Sequence, residues 1–202
     1  APLVKRLIAV EKDEQLADQL SAGLQKEGIG NTTIIKADVL NFFSSVIFKE
    51  NIYGQYASYK LIGNIPYYLT GRILRLALES AYKPHNIIFT IQREVAERIT
   101  ANAPHMSMLG LSVQTFGTPS IIAHVPSNCF HPAPNVESAI IAISHISDAF
   151  FKERGIDRDI FFKIAKIGFS QKRKILTGTL GHVFGKERVA SAIAVLGCTA
   201  NA

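Results

Sequence analysis

The sequence predicts an α/β protein built on an open parallel sheet, with a small helical domain after it. Three observations carry that prediction. Short apolar runs at residues 7–10, 32–36, 59–62 and 86–91 alternate with helix-like segments, the β-α-β rhythm of a parallel sheet. The first three runs lead into the polar residues Glu11, Asp38 and Asn64, whose separations of 27 and 26 residues each fit roughly one βα unit. From Asp157 onward the apolar spacing turns helical. The boundary is expected at 147–157, giving an α/β domain over 1–150 and a helical one over 151–202.

The elements follow in order. Run 7–10 reads as a buried strand delivering Glu11 to its carboxyl edge. Asp13 is placed to cap a helix whose inward face is expected to carry Leu16, Leu20 and Leu24, with a stop near Glu27 and Gly28. A β-branched strand at 32–36 ends on Ala37 and Asp38, and 39–48 is apolar and irregular or helical. A strand at 59–62 leads into Gly63-Asn64-Ile65-Pro66-Tyr67, followed by an amphipathic helix over 69–80 with Ile73, Leu74, Ala77 and Leu78 inward. Strand 86–91 precedes a helix over 92–100, on which Glu94 and Arg98 have the spacing of an ion pair. Further strands are expected at 108–116, 121–125 and 136–144. A helix beginning near Asp157 should turn Ile160, Phe161, Ile164, Ile167 and Gly168 to one face, and another should span 188–196.

Composition narrows the functional classes. With 202 residues and 48% hydrophobic content the chain can bury a sizeable core. No apolar run reaches the roughly 18 to 20 residues of a membrane span, and the start shows no signal segment. Cys129 and Cys198 match no zinc or redox spacing, and the six histidines form no cluster, so no metal site is expected. A reducing cytoplasm is the default reading. The charge is +6 and uneven. Residues 7–50 hold four basic and seven acidic residues, whereas 163–188 hold seven basic residues and one acidic, Glu187. A polyanion docking on the C-terminal part fits that asymmetry; a solvated helix face is the bland alternative. The absence of an initial Met before the first strand, and the short polar remnant after Gly197, lead us to expect a fragment.

The most informative stretch is Asn64-Ile65-Pro66-Tyr67. Pro66 removes a backbone donor and biases Ile65 away from the helical region, so nearby carbonyls are expected to face a cleft. Asn64 offers a carbonyl acceptor and an amide donor, and Tyr67 a flat ring. Two acceptors can hold the N–H groups of an exocyclic nucleobase amine while an aromatic clamps the base. A turn using Asn and Pro only for its geometry is the alternative. In open α/β sheets ligands bind outside the carboxyl ends of strands, where carboxylates can accept from ribose hydroxyls and Asp38 from an adenine amino group. An ordinary cap at Asp38, and a helix-dipole role for Glu11, are the alternatives there. Phe130, in Cys129-Phe130-His131-Pro132-Ala133-Pro134, is displayed by a stiff loop and can stack on a base or pack into the core.

With those residues in view, the chain resembles the small-subunit rRNA adenine N6-dimethyltransferases. The resemblance rests on Val10-Glu11-Lys12-Asp13, Ala37-Asp38, the Gly63 to Tyr67 motif, Gln92-Arg93-Glu94-Val95-Ala96-Glu97-Arg98, Phe130 to Pro134 with Val136, and residues 169–180. It implies a Rossmann-like methyltransferase sheet that uses S-adenosylmethionine, here without its first strand and glycine-rich loop. It further implies that Glu11 holds the cofactor ribose and Asp38 its adenine, with Lys12, Val39 and Asn64 in the same set. Asn64, Ile65, Pro66, Tyr67 and Phe130 would form the catalytic group, with Tyr67 and Phe130 sandwiching the target base. Lys172, Arg173 and Lys174 would meet rRNA phosphate. The implied partner is small-subunit rRNA in an immature small ribosomal subunit, met by a monomeric, cytoplasmic protein with no membrane association. Asn135 stands where the family usually has Lys. Two rivals share features: the large-subunit rRNA adenine methyltransferases of macrolide resistance, and a non-catalytic RNA-binding assembly factor.

Overall fold

In the computed structural model, which describes residues 3–52, 58–171 and 174–197, the first two predicted strands pair in parallel. They are β1 (Leu7–Glu11) and β2 (Thr32–Lys36), in a register running from Leu7 opposite Thr32 to Glu11 opposite Lys36. Between them lies α1 (Glu14–Lys26), whose first-turn amides are satisfied by Asp13: its Oδ1 accepts from Gln15 N–H at 2.9 Å and Leu16 N–H at 3.0 Å. The helix exits through Gly28 at φ +67°, the left-handed conformation that favours glycine. Its inward face differs from the expected one. Leu16 and Leu20 are 54% and 44% exposed, and the buried residue is Ala17. Period-four leucines mark a stripe but cannot say whether another element covers it.

The apolar segment after Asp38 splits into two short helices, α2 (Val39–Phe42) and α3 (Val46–Asn51), the second capped by the Ser45 hydroxyl. Phe42 and Phe48 bury together with Ile35 and Ile52, and Phe43, Tyr59 and Tyr82 pack against them through ring contacts. A single 3-10 turn (Tyr67–Leu69) then opens α4 (Thr70–Glu79), which buries Ile73, Leu74, Ala77 and Leu78 as predicted, together with Thr70.

The next strand, β3 (Lys60–Asn64), does not extend the β1–β2 sheet. It edges a four-stranded sheet of order β3-β4-β6-β5, with β4 (Asn86–Gln92), β5 (Thr118–Val125) and β6 (Ser138–Ser144). β6 runs antiparallel to both neighbours, so this sheet is mixed, not purely parallel. The described residues therefore form two compact units: residues up to Leu61 with Ile65–His85, and Ile62–Asn64 with everything from Asn86 on. The expectation that Glu11, Asp38 and Asn64 end three consecutive strands of one sheet is corrected accordingly. Local β-α-β rhythm specifies strands, while the identity of each neighbour depends on long-range pairing.

In the second unit, Ile87, Phe89 and Ile91 of β4 and Ala139, Ile141 and Ile143 of β6 are fully buried, the period-two signature of one packed face. α5 (Arg93–Thr100) packs through Ala96 and Ile99. Residues 108–114, expected as strand, form α6 (Met108–Gln114) instead. Ser107 Oγ accepts from Gly110 N–H at 3.0 Å, and Gly110 sits so close to α5 that a Cβ would lie 2.7 Å from the Arg98 carbonyl. A cap and a close approach outweighed the β-like composition. The predicted boundary at 147–157 contains α7 (Ala149–Arg154), followed by α8 (Arg158–Phe169), α9 (Leu176–Phe184) and α10 (Lys186–Val195). On α8, Ile160 and Ile164 face solvent, and Phe161 and Phe162 make the packing contacts.

Candidate active site

Glu11 and Asp38 leave β1 and β2 at the same end. The Ala37 amide donates to the Glu11 carbonyl at 2.9 Å, which carries the parallel register one step past Lys36 and brings Asp38 beside the Glu11–Asp13 turn. Glu11 Oε1 accepts from the Asp13 amide at 2.8 Å, leaving its second oxygen as an acceptor. Lys12 Nζ lies 3.2 Å from Asp38 Oδ2, while Asp38 Oδ1 caps α2 by accepting from Leu40 N–H at 2.9 Å. The Leu40 amide, then Lys12, and more weakly Arg72 hold the Asp38 carboxyl below its usual range. Val39, directly after the cap, is half-buried. The capping role considered for Asp38 is thus present, and it coexists with an ionised, solvent-accessible carboxylate.

Asn64 is the exposed last residue of β3 and clusters with the second unit, while Ile65, Pro66 and Tyr67 cluster with the first. Pro66 is extended (φ −53°, ψ 130°), and its carbonyl accepts from Leu69 N–H at 2.8 Å, closing the 3-10 turn. Tyr67, half-buried, opens that turn; Tyr68 beside it is open to solvent.

Phe130 belongs wholly to the second unit. It follows a 3-10 turn (Ser127–Cys129) in extended backbone, half-buried, within the connection from β5 to β6. Ser138 pairs with both Gln92 and Val125, so this connection lies at the carboxyl ends of β4 and β5. Its far end is tied down by Arg93. The Arg93 amide donates to the Glu137 carbonyl at 3.0 Å, and the guanidinium reaches Glu137 at 2.7 Å and Glu97 at 2.8 Å. The expected Glu94–Arg98 pair gives way to Arg93–Glu97, because Arg93 also meets a carboxylate from the loop. Gln92, Arg93, Glu94, Glu97, Val136 and Glu137 line a cleft of about 300 Å³ there.

Lys174 is exposed just before α9. Lys172, Arg173 and Cys198 lie outside the described residues. Among the described residues no group of three or more His, Cys, Asp or Glu side chains is placed to hold a metal, and no helix is long and apolar enough to cross a membrane. Two contributors escaped the sequence reading, Arg72 and Glu137. The first-turn position of Arg72 after the Tyr67 motif was a usable signal; the pairing of Glu137 with a residue 44 positions away was not.

Comparison with known proteins bears on the family and the fold. A family model described as ribosomal RNA adenine dimethylase matches residues 1–200. The chain is 38% identical over 186 residues to ribosomal RNA small subunit methyltransferase A of Dehalococcoides mccartyi, covering 91% of this chain and 61% of that protein. It is 34% identical to the protein of the same name from Lachnoclostridium phytofermentans, covering 97% of this chain and 68% of the relative. The chain therefore spans about three fifths to two thirds of these relatives' lengths. Among solved structures, it shares its fold with a dimethyladenosine transferase from Plasmodium falciparum (TM-score 0.74, 20% identity, 98% of this chain and 69% of the other). It shares it also with the 23S rRNA methyltransferase ErmE (TM-score 0.67, 20% identity, 98% and 75%). Both likenesses bear out the Rossmann-like methyltransferase fold. On its sequence and on this match, the chain belongs to the ribosomal RNA adenine dimethylase family.

Proposed function

We propose that this chain is the body of an S-adenosylmethionine-dependent methyltransferase that dimethylates N6 of two adjacent adenines near the 3′ end of small-subunit rRNA. It would act on the immature small ribosomal subunit, as a monomer, in the cytoplasm. The observation that carries the reading is a family match over residues 1–200 in a chain that keeps Glu11, Asp38 and the Asn64-Ile65-Pro66-Tyr67 motif. The matching curated relatives are named for the small subunit, which favours that substrate over the large-subunit rival.

The residues fit the cofactor. Glu11 is anchored by one oxygen and keeps the other as acceptor, which suits a ribose diol. Asp38 stays ionised and can accept from an adenine amino group or orient it through Lys12 and Val39 nearby. When bound, S-adenosylmethionine supplies an electrophilic methyl on a sulfonium. The chain's part is positional. Asn64 and the backbone carbonyls around Asn64 and Ile65 accept the N–H donors of the target amine, and Tyr67 and Phe130 take the faces of its base. Holding the amine in line and away from water carries the rate.

Asn64→Ala should lower methyl transfer roughly a hundredfold or more while leaving rRNA affinity within about twofold; unchanged transfer would sink the assignment. Residues 151–202 are read as the RNA-binding part. Replacing Lys172, Arg173 and Lys174 by Ala should weaken RNA binding and flatten its dependence on salt. An unaltered slope would count against phosphate contact there. Calorimetric titration of the chain with S-adenosylmethionine tests the pocket directly.

A further inference from the structure

The solvent face of the turn that opens α4 carries Tyr68, which has no part in the reading above, and Arg72, which entered it only through its field at Asp38. Tyr68 is 84% exposed. Arg72 stands four residues on, also exposed, in the first turn of α4. Tyr68 lies in the 3-10 turn and Arg72 in the first turn of α4, so both are exposed about one turn apart along one continuous helical segment. The opposite side is pinned by buried Thr70, Ile73, Leu74, Ala77 and Leu78, so packing of the helix holds Tyr68 outward.

The charges on this face are not equivalent. Arg75 is paired with Glu79 at 3.0 Å, whereas Arg72 has no ion-pair partner among the described residues. Its field reaches Asp38, the carboxylate after β2 in the same unit. A lone exposed aromatic is ordinary. An exposed aromatic with an exposed guanidinium outside any close ion pair one turn later, directly after Tyr67, has the two parts of a single-strand binding platform: a stacking face and a phosphate partner.

We propose that Tyr68 and Arg72 bind the RNA nucleotide adjoining the target base, Tyr68 stacking on its ring and Arg72 pairing with its phosphate. The occupant is single-stranded RNA, whose phosphate and base match the exposed cation and the exposed ring here. This inference rests on the reading of the chain as an enzyme acting on an RNA base, and it assigns that enzyme a second base-binding position.

The test uses the full 202-residue chain and two short RNAs, with 2-aminopurine at the target adenine in one and at its neighbour in the other. Tyr68→Leu should abolish the quenching at the neighbour, leave that at the target, and weaken binding roughly fivefold or more. Arg72→Gln should lower the salt slope by about one. Quenching at the neighbour that survives Tyr68→Leu, or a salt slope unmoved by Arg72→Gln, overturns the proposal. Target quenching indifferent to Tyr67→Leu and Phe130→Leu overturns the reading beneath it instead, and that result is visible separately. Tyr68 is exposed enough that its replacement leaves folding intact, and an unchanged thermal melt verifies this.

Discussion

The Asp38 carboxylate combines two duties that sequence reading had set against each other. It caps α2 and it remains a charged acceptor at the end of β2. Its partners favour the ionised form, so its folded pKa lies below the ordinary 3.8. A depressed carboxylate contributes stability that is complete above the unfolded value and is lost as pH falls through the folded one. Asp38→Asn retains a good capping side chain but not the charge. Its urea midpoint should therefore fall below that of the parent at pH 7, and the two should converge as pH drops below about 4. A gap that persists into acid would mean that shape rather than charge matters at this position. Asp38 was legible because strand ends and caps are marked locally. Arg72 was marked by its position after the Tyr67 motif, but its action on Asp38 from another helix was not.

Arg93 links two segments, the start of α5 and the end of the loop that follows Phe130. Hydrogen bonds to Glu137, backbone and side chain, tie that loop at the edge of β6, whereas residues 131–136 make no hydrogen bond among the described residues. Arg93→Gln should speed amide exchange across 131–137 severalfold while exchange in β4 and β6 stays slow; Arg93→Lys should restore part of the protection. Equal acceleration throughout the sheet would show a global effect instead. Elements with local signals were read well: α1 from its Asp13 cap and α4 from its buried face. α6 was misread because Met108, Leu109, Leu111 and Val113 suit either a strand or a helix. The deciding features were the Ser107 cap and the fit of Gly110 against α5.

Across the second unit, aromatic packing joins α7 and α8 to the segment between α6 and β5. Phe116, at the end of α6, stacks on Phe162 of α8 at 6.0 Å and meets Phe151 of α7 at 5.4 Å. Phe151, 5% exposed, also touches Phe161 and Phe162. Phe151→Ala should cost about 3–5 kcal/mol, by loss of buried area and the cavity left behind. Because the ring packs on α8 and on Phe116, whose segment leads into β5, far-ultraviolet circular dichroism and a probe in β4 should report one shifted denaturation midpoint. Two separated midpoints would mean that the helices unfold on their own.

The strands at β1 to β4, the caps at Asp13 and Asp38, the motif from Asn64 to Tyr67 and the basic bias of residues 163–188 were present in residue order, and they sufficed to point to a family. Each depends on a few neighbouring residues, whose backbone chemistry is the same wherever the segment sits. Which strands pair, whether Leu16 and Leu20 are covered, and which carboxylate Arg93 meets were settled by contacts between distant segments. Apolar and charged side chains look alike in a linear string whatever they later touch, and only the packed chain assigns their partners.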